Sequence, residues 1–424
     1  MIVCIFEDHT VAWLEPLTLT RPAFDLRCGA GTLLERQLRA IGVDDALAWV
    51  RPELAPLCQM NHPHLTVNEA LPATEPVLLI NARWLAPAAP LTDLANPRLG
   101  IVDNQVAYAV LPAGCAAHVE PESIDDALEG LRNELPICPA GGSMITHLWE
   151  LIEQNAGVLC QDLAAFRASA GAALPATDVK VMGTADRFVV ADGAVVEPHV
   201  AVDTRHGPVL IDRGAVLQAF SRIEGPCYVG QGSVVAGAKM ARSTLGPSCR
   251  VGGEVQDSIV QGFSNKYHDG FLGHSYLGEW VNIAAGTQFS DLRNDYAPVH
   301  VTLGGQRLPT GRAKIGSFVG DHTKTGLGTL LNTGSVIGAF CNLLPSGTYL
   351  PSVIPSFCEA RRGILRERTD LRTTFQTAAT VMRRRGFELT DAHINFYFEL
   401  YDQTADARRK LLHENELRLL RQSV

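Results

Sequence analysis

The chain opens with an unbroken apolar run, Ile2-Val3-Cys4-Ile5-Phe6, the pattern of a strand buried on both faces. After a loop, Thr32-Leu33-Leu34-Glu35 reads as a capping box that starts a helix with Leu34, Leu38 and Ile41 on one face. A second apolar run, Val77 to Ile80, leads into Asn81-Ala82-Arg83-Trp84, and Asp103-Asn104 predicts a hairpin turn ahead of Val106–Val110. The first 170 residues therefore read as α/β. Ala, Ser and Gly dominate from Ala164 to Pro175, so this domain is expected to cover residues 1–175.

Aliphatic residues then recur every sixth position. Ile211, Leu217, Ile223, Val229 and Val235 form one register, Phe271, Leu277, Ile283 and Phe289 a second, and Val319, Thr325, Leu331, Ile337 and Leu343 a third. A period of six fits neither an amphipathic helix nor an alternating strand. It fits a parallel β-helix of triangular section, in which each sixth residue fills an equivalent inner site. Glycines 230, 278, 316, 328 and 338 are expected to supply its tight turns, and the breaks near 241–250 and 290–312 predict loops that leave the coil. This domain is expected over residues 176–357. In 358–424 glycine nearly vanishes, and the spacing of Phe396, Leu400, Leu412, Leu419 and Leu420 predicts helices that cap the open end.

Composition narrows the function. The 424 residues are 46% apolar and 19% charged with a net charge of −9, a globular balance that disfavours a general nucleic-acid surface. The apolar runs are too short to span a bilayer, residues 1–25 lack a basic segment ahead of an apolar block, and the ten cysteines form no C-x-x-C, so a cytoplasmic protein with reduced thiols is expected. Arg383-Arg384-Arg385 reads either as a solvated helix end or as an anion contact.

Polar side chains concentrate in residues 265–287, from Asn265-Lys266-Tyr267-His268 through Phe271-Leu272-Gly273 and Leu277-Gly278 to Val281-Asn282-Ile283-Ala284-Ala285-Gly286-Thr287. This stretch resembles the acetyltransferase half of the GlmU-like proteins, the bifunctional UDP-N-acetylglucosamine pyrophosphorylase / glucosamine-1-phosphate N-acetyltransferases. Their signature runs His, aromatic-Leu-Gly, Ile-Gly, Val-Asn-Ile-Gly-Ala-Gly-Thr. Residues 264–280, 315–338 and 17–29 are similar to a divergent bacterial branch of putative sugar nucleotidyltransferases. The resemblance implies a nucleotidyltransferase-like α/β domain, a left-handed β-helix that forms homotrimers, and acetyl-CoA, Mg²⁺, a sugar phosphate and a nucleotide as ligands.

It also implies roles. His268 falls on the catalytic histidine, a base suited to neutral pH, and His274, six residues on, is the runner-up. Phe271 falls on a substrate-contacting tyrosine and Asn282 on a sugar-contacting asparagine, while Asn294 and Tyr296 match a displaced substrate motif. Lys266 and Arg312 are candidate phosphate contacts. Asp321, His322 and Lys324 align with the region that holds acetyl-CoA.

The amino-terminal half lacks the Gly-rich loop that cradles a triphosphate in such transferases. In its place Leu17–Gly29 offers Thr20, Arg21 and Arg27, which suit phosphates or else hold the loop by carboxylate pairs. Asn81-Ala82-Arg83 stands where the family places a Gly-Asp contact to metal or to base and sugar, so Asn81 is a candidate nucleotide contact with that Asp missing, and Asp8, Asp25 and Asp103 form no recognisable metal motif, leaving the metal ligands unknown. The expected function is N-acetylation of an amino-sugar 1-phosphate followed by nucleotidyl transfer from UTP. The alternative is a sugar-phosphate-binding regulator or scaffold that keeps the folds without one or both activities.

Overall fold

Strand β1 (Ile2–Phe6) forms as the apolar run predicts and lies inside a seven-stranded sheet. With β2 (Ala46–Trp49), β3 (Leu65–Val67), β4 (Val77–Asn81), β5 (Arg98–Val102), β6 (Gln105–Leu111) and β7 (Ile137–Pro139), the order is β7-β5-β6-β4-β1-β2-β3. All neighbours are parallel except where β6 pairs with β4 and β5. Asp103 and Asn104 both take positive φ, 47° and 62°, in the predicted β5–β6 turn. Helices α1 (Leu33–Ile41), α2 (Ala55–Asn61) and α3 (Ile124–Glu134) complete this unit, and Ile124 and Leu128 of α3 pack against Phe6, Val77, Leu79 and Leu99 of the sheet.

The capping box at Thr32 and Glu35 is present. The buried residues of α1, however, are Leu33, Leu34, Arg36, Gln37 and Ala40, with Leu38 and Ile41 only half-buried. Gln37 is fully buried because its Nε2 donates to the carbonyls of Asn81 and Trp84, a polar anchor that an apolar-only pattern cannot reveal.

The computed structural model describes residues 1–92, 94–116, 119–171 and 179–422. Residues 1–14, 20–26 and 31–147 form the unit just described; 15–19, 27–30 and 148–424 form the second. The boundary expected at 175 lies outside the described residues. Helix α4 (Leu148–Ala170) belongs to the second unit: its Asn155 and Asp162 accept from the amides of Gly29 and Ala30, and Leu159 packs on Leu210 and Tyr228.

The second unit is built on a left-handed parallel β-helix. Three inner columns run along its axis, one per face, and all three are read from the strand registers. Val190, Ile211, Val229, Leu245, Val260, Leu277, Val319, Ile337 and Ile354 form the first. Val202, Ile223, Met240, Val255, Leu272, Phe289 and Leu331 form the second. Val196, Leu217, Val235, Val251 and Lys266 begin the third, and Thr325, Leu343 and Ala360 end it. The six-residue period thus marks the prism core, with one exception. Phe271 is not an inner residue: the coil there has a shortened side, Leu272 fills the core, and Phe271 stays half-exposed.

The expected glycine turns also need correction. Gly230, Gly278, Gly316 and Gly338 have no positive φ; they let coils stack closely, and a Cβ on Gly338 would lie 2.2 Å from the Ser356 amide nitrogen. Of the five, only Gly328 takes the left-handed conformation, with φ 71°. Along one prism edge that conformation is taken by Phe263, Trp280, His322, Phe340 and Phe357. Their rings stack in succession, with interplanar angles of 10°, 15°, 12° and 7°.

Residues 290–312 leave the coil as expected and carry a hairpin, His300–Leu303 with Gln306–Pro309, whereas 241–250, also expected to leave it, stays within the coil, with Thr244 and Leu245 in register with Tyr228 and Val229. The last strand of the prism, Cys358–Arg361, pairs antiparallel with Ile364–Glu367, so helix begins only at α5 (Leu371–Arg383), followed by α6 (Asp391–Gln403) and α7 (Ala405–Gln422). Phe375 and Tyr397 of α5 and α6 pack edge-on against Phe340 of the aromatic stack. Helix α7 covers the end of the core with Leu412, and its Asn415 accepts from the Leu365 amide.

Candidate functional site

The residue before each inner position of the third column points outward. The ladder and bridge registers align Arg250, Asn265, Asn282, Lys324 and Asn342 as one such outer column. Over it stands the C-terminal end of α5, and between them opens a cleft of about 590 Å³ lined by Arg250, Asn265, His268, Asn282, Lys324 and Arg385, among others. Phe263 and Trp280, the first two rungs of the aromatic stack, also line it, beside Val381 and Arg384.

The electrostatics of this cleft are one-sided. Arg250, Lys324, Arg384 and Arg385 contribute four cations, no carboxylate lines the cleft, and among the described residues none of the four has a carboxylate within ion-pair distance. Arg385 donates to Asn265 Oδ1 at 2.7 Å; burial and the adjacent Arg250 and Arg384 hold its pKa below the ordinary value. Burial, with a further push from Arg368, brings the Lys324 ammonium down to about 8, while its Nζ donates to the His322 carbonyl. Uncompensated cations gathered around a concave surface are an anion site.

The predicted residues are distributed unevenly around this cleft. His268, Asn282 and Lys324 share it. Phe271 lies instead in a shallower, open depression of about 350 Å³ with Lys239, Glu254, Asp269 and Gln288. His274 sits on a different prism edge in a ladder of alternating charge: Arg242 pairs with Asp257, His274 Nε2 lies 3.6 Å from Asp257, and His274 Nδ1 lies 2.7 Å from Asp291. His274 is thus held between two carboxylates and does not line the cleft.

Lys266, expected as a phosphate contact, is an interior residue at 2% exposure and not part of the cleft wall. Asn294 and Tyr296 are exposed on the excursion from the coil, where Arg293 and Asp295 pair with each other. Arg312 pairs with Glu153 of α4. Asp321 is buried and accepts from the Glu279 amide at 2.8 Å, and His322 is a rung of the aromatic stack with Nε2 3.0 Å from Tyr397 Oη. Neither lines the cleft.

Sequence reasoning missed Arg250, Phe263, Trp280 and the placement of Arg384 and Arg385. The outer-column rule would have found Arg250, one residue before the inner Val251. No local signal reveals that α5 folds back over that face.

In the first unit the strand order reverses between β1 and β4, the usual ligand crevice of an open α/β sheet. The ends of those strands are occupied by a buried cluster. Asp8 Oδ1 accepts from Arg83 Nε at 2.8 Å, and Asp8 Oδ2 accepts from Arg83 at 2.6 Å and from Asn81 Nδ2 at 2.7 Å. Burial opposes ionisation of Asp8, yet the Arg83 hydrogen bonds and charge prevail and hold its pKa below the usual range. Glu7 is likewise committed, to Arg51 and to the Ala23 amide, and Asp25 to His62. Asn81 is thus part of this cluster. Arg21 is buried, with its carbonyl accepting from Arg51, and Thr20 is half-buried beside it. Arg27 belongs to the second unit, where it donates to the Ala30 carbonyl and its backbone bonds Gln261 and Tyr276.

These carboxylates do not fit a divalent cation, because their oxygens are already occupied by guanidinium, amide and imidazole donors. Among the described residues no three His, Cys, Asp or Glu side chains converge as a metal site.

Residues 3–170 match the sugar nucleotidyl transferase family. A bifunctional sugar-1-phosphate nucleotidylyltransferase/acetyltransferase of Sulfurisphaera tokodaii is 37% identical over 92 residues, 22% of this chain and 23% of that protein. Over that stretch the chain is similar to a GlmU-type protein. Bifunctional GlmU proteins of Methanocaldococcus jannaschii and Rippkaea orientalis are 34% and 33% identical over 88 and 97 residues, 21% and 22% of this chain and 21% and 20% of theirs. The matched stretches thus span about a fifth to a quarter of the length of these GlmU-like relatives.

Proposed function

We propose that this GlmU-like chain works in sugar-nucleotide biosynthesis and that the cationic cleft of the β-helix is its acyl-transfer site. The reaction is acetyl-CoA-dependent N-acetylation of an amino-sugar 1-phosphate, with glucosamine 1-phosphate as the acceptor. The observation that carries this reading is the shared cleft: a histidine and an asparagine stand beside four cations that no carboxylate neutralises. His268 takes the proton from the acceptor ammonium. The freed amine adds to the thioester carbonyl, the C–S bond breaks, the proton held by His268 passes to the departing thiolate, and the new amide nitrogen sheds its second proton to water. Asn282 orients the sugar, and the arginines with Lys324 hold phosphate groups of the two substrates.

For the first unit the proposed reaction is nucleotidyl transfer from UTP to the N-acetyl sugar 1-phosphate. The occupied crevice at Asp8, Asn81 and Arg83 favours a second reading there, a sugar-phosphate-binding regulator or scaffold that keeps the fold without the transfer activity. A homotrimer built on the prism walls belongs to the same proposal. So does a reducing cytoplasm, which suits ten free cysteines. Among the described residues no helix is long and apolar enough to cross a membrane.

The test is thiol release from acetyl-CoA in the presence of glucosamine 1-phosphate. The wild type should turn over and His268→Ala should lose about 100-fold or more in kcat; equal rates would remove His268 from the mechanism. A parallel assay of pyrophosphate release from UTP and N-acetylglucosamine 1-phosphate with Mg²⁺ separates the two readings of the first unit.

A further inference from the structure

The third inner column of the prism is aliphatic at Leu217, Val235 and Val251 and again at Leu343, yet Lys266 follows Val251 directly in register. Its side chain is 2% exposed. A cation in such a site costs far more than the valine one coil earlier unless it does something in return. Among the described residues no carboxylate reaches ion-pair distance of its ammonium. Nζ instead donates to two backbone carbonyls, that of Gly252 at 2.8 Å and that of His268 at 2.7 Å. The preceding coil makes room for it: a Cβ on Gly253, where φ is 69°, would stand 2.6 Å from Nζ and 3.0 Å from the His268 carbonyl.

The neighbouring corner is otherwise solvent-facing, with Tyr267, His268 and Asp269 all exposed. A histidine on an exposed bend loses orientation unless its backbone is pinned. We propose that Lys266 is a positioning residue for His268, acting through the His268 carbonyl to fix the direction in which the imidazole enters the cleft. This rests on the reading of His268 as the base. The charges facing Lys266 are Asp269 on its own corner and Glu254 from the coil before. Both favour the ammonium, but burial outweighs them and brings its pKa to about 8. The pin is therefore charged at neutral pH and loses its charge as pH rises through that value, weakening both charge-assisted bonds.

The experiment compares wild type, Lys266→Met and His268→Ala in the full chain. Lys266→Met fills the same space without the cation, so its thermal midpoint should hold or rise. Its kcat for thiol release should fall about 10- to 100-fold with KM for glucosamine 1-phosphate little changed. The change in wild-type kcat near pH 8 should be absent from the variant. Full kcat in Lys266→Met, or a loss that merely follows a lowered midpoint, overturns the proposal. Wild-type turnover in His268→Ala instead overturns the underlying assignment of the base. A readout independent of turnover is the ¹⁵N resonance pattern of the His268 ring, identified by its absence in His268→Ala. One ordered ring in wild type that becomes averaged in Lys266→Met supports the pin, and identical spectra refute it.

Discussion

Arg385 concentrates the chemistry of the cleft in one side chain. It is held by Asn265 on the outer column, faces Arg250 and Arg384, and among the described residues has no carboxylate within ion-pair distance. An arginine kept in that company is poised to gain an anion. Arg385→Ala is accordingly expected to raise KM for the phosphorylated substrates about tenfold, with a smaller change in kcat, since it removes a contact made equally in ground and transition states. Steady-state kinetics at two salt concentrations check this, and an unchanged KM would place the phosphates elsewhere. His274 illustrates the opposite case. It stands at the same six-residue spacing that made it a candidate base, yet it is bracketed by Asp257 and Asp291 on another edge. Spacing alone puts two histidines on equivalent corners; their neighbours tell them apart, since His268 lines the cationic cleft and His274 lies between two carboxylates.

At the scale of elements, the period of six was legible because the prism core accepts only side chains that fill a repeated site. Leu217, Ile223, Val229 and Val235 are each fully buried. The failures share a physical cause, which is that local pattern carries no information about which polar groups are satisfied indoors. Gln37 and Lys266 are buried through backbone carbonyls, and the shortened side at Leu272 shifts Phe271 outward. The placement of α5 was illegible for another reason: it is set by contacts far apart in sequence. The aromatic stack is what receives the helices, through Phe375 and Tyr397 on Phe340. Phe340 is 1% exposed, so Phe340→Ala should cost about 3–5 kcal/mol and loosen α5 and α6 together. Chemical denaturation combined with limited proteolysis of residues 371–403 measures both. A loss of stability without release of those helices would mean that they are held by other contacts.

For the molecule as a whole, both halves of the resemblance have a structural counterpart, but they differ in how open their sites are. The second unit presents a cationic cleft, whereas the strand ends of the first carry the hydrogen-bonded cluster of Asp8, Asn81 and Arg83. The most direct test is hydrogen exchange mapped along the full chain with and without coenzyme A and glucosamine 1-phosphate. The account predicts slowed exchange in the segments that line the cleft, 263–268, 280–285, 324–327 and 381–385. Protection centred on the shallow depression at 237–239 and 253–254, with the cleft segments unchanged, would contradict it.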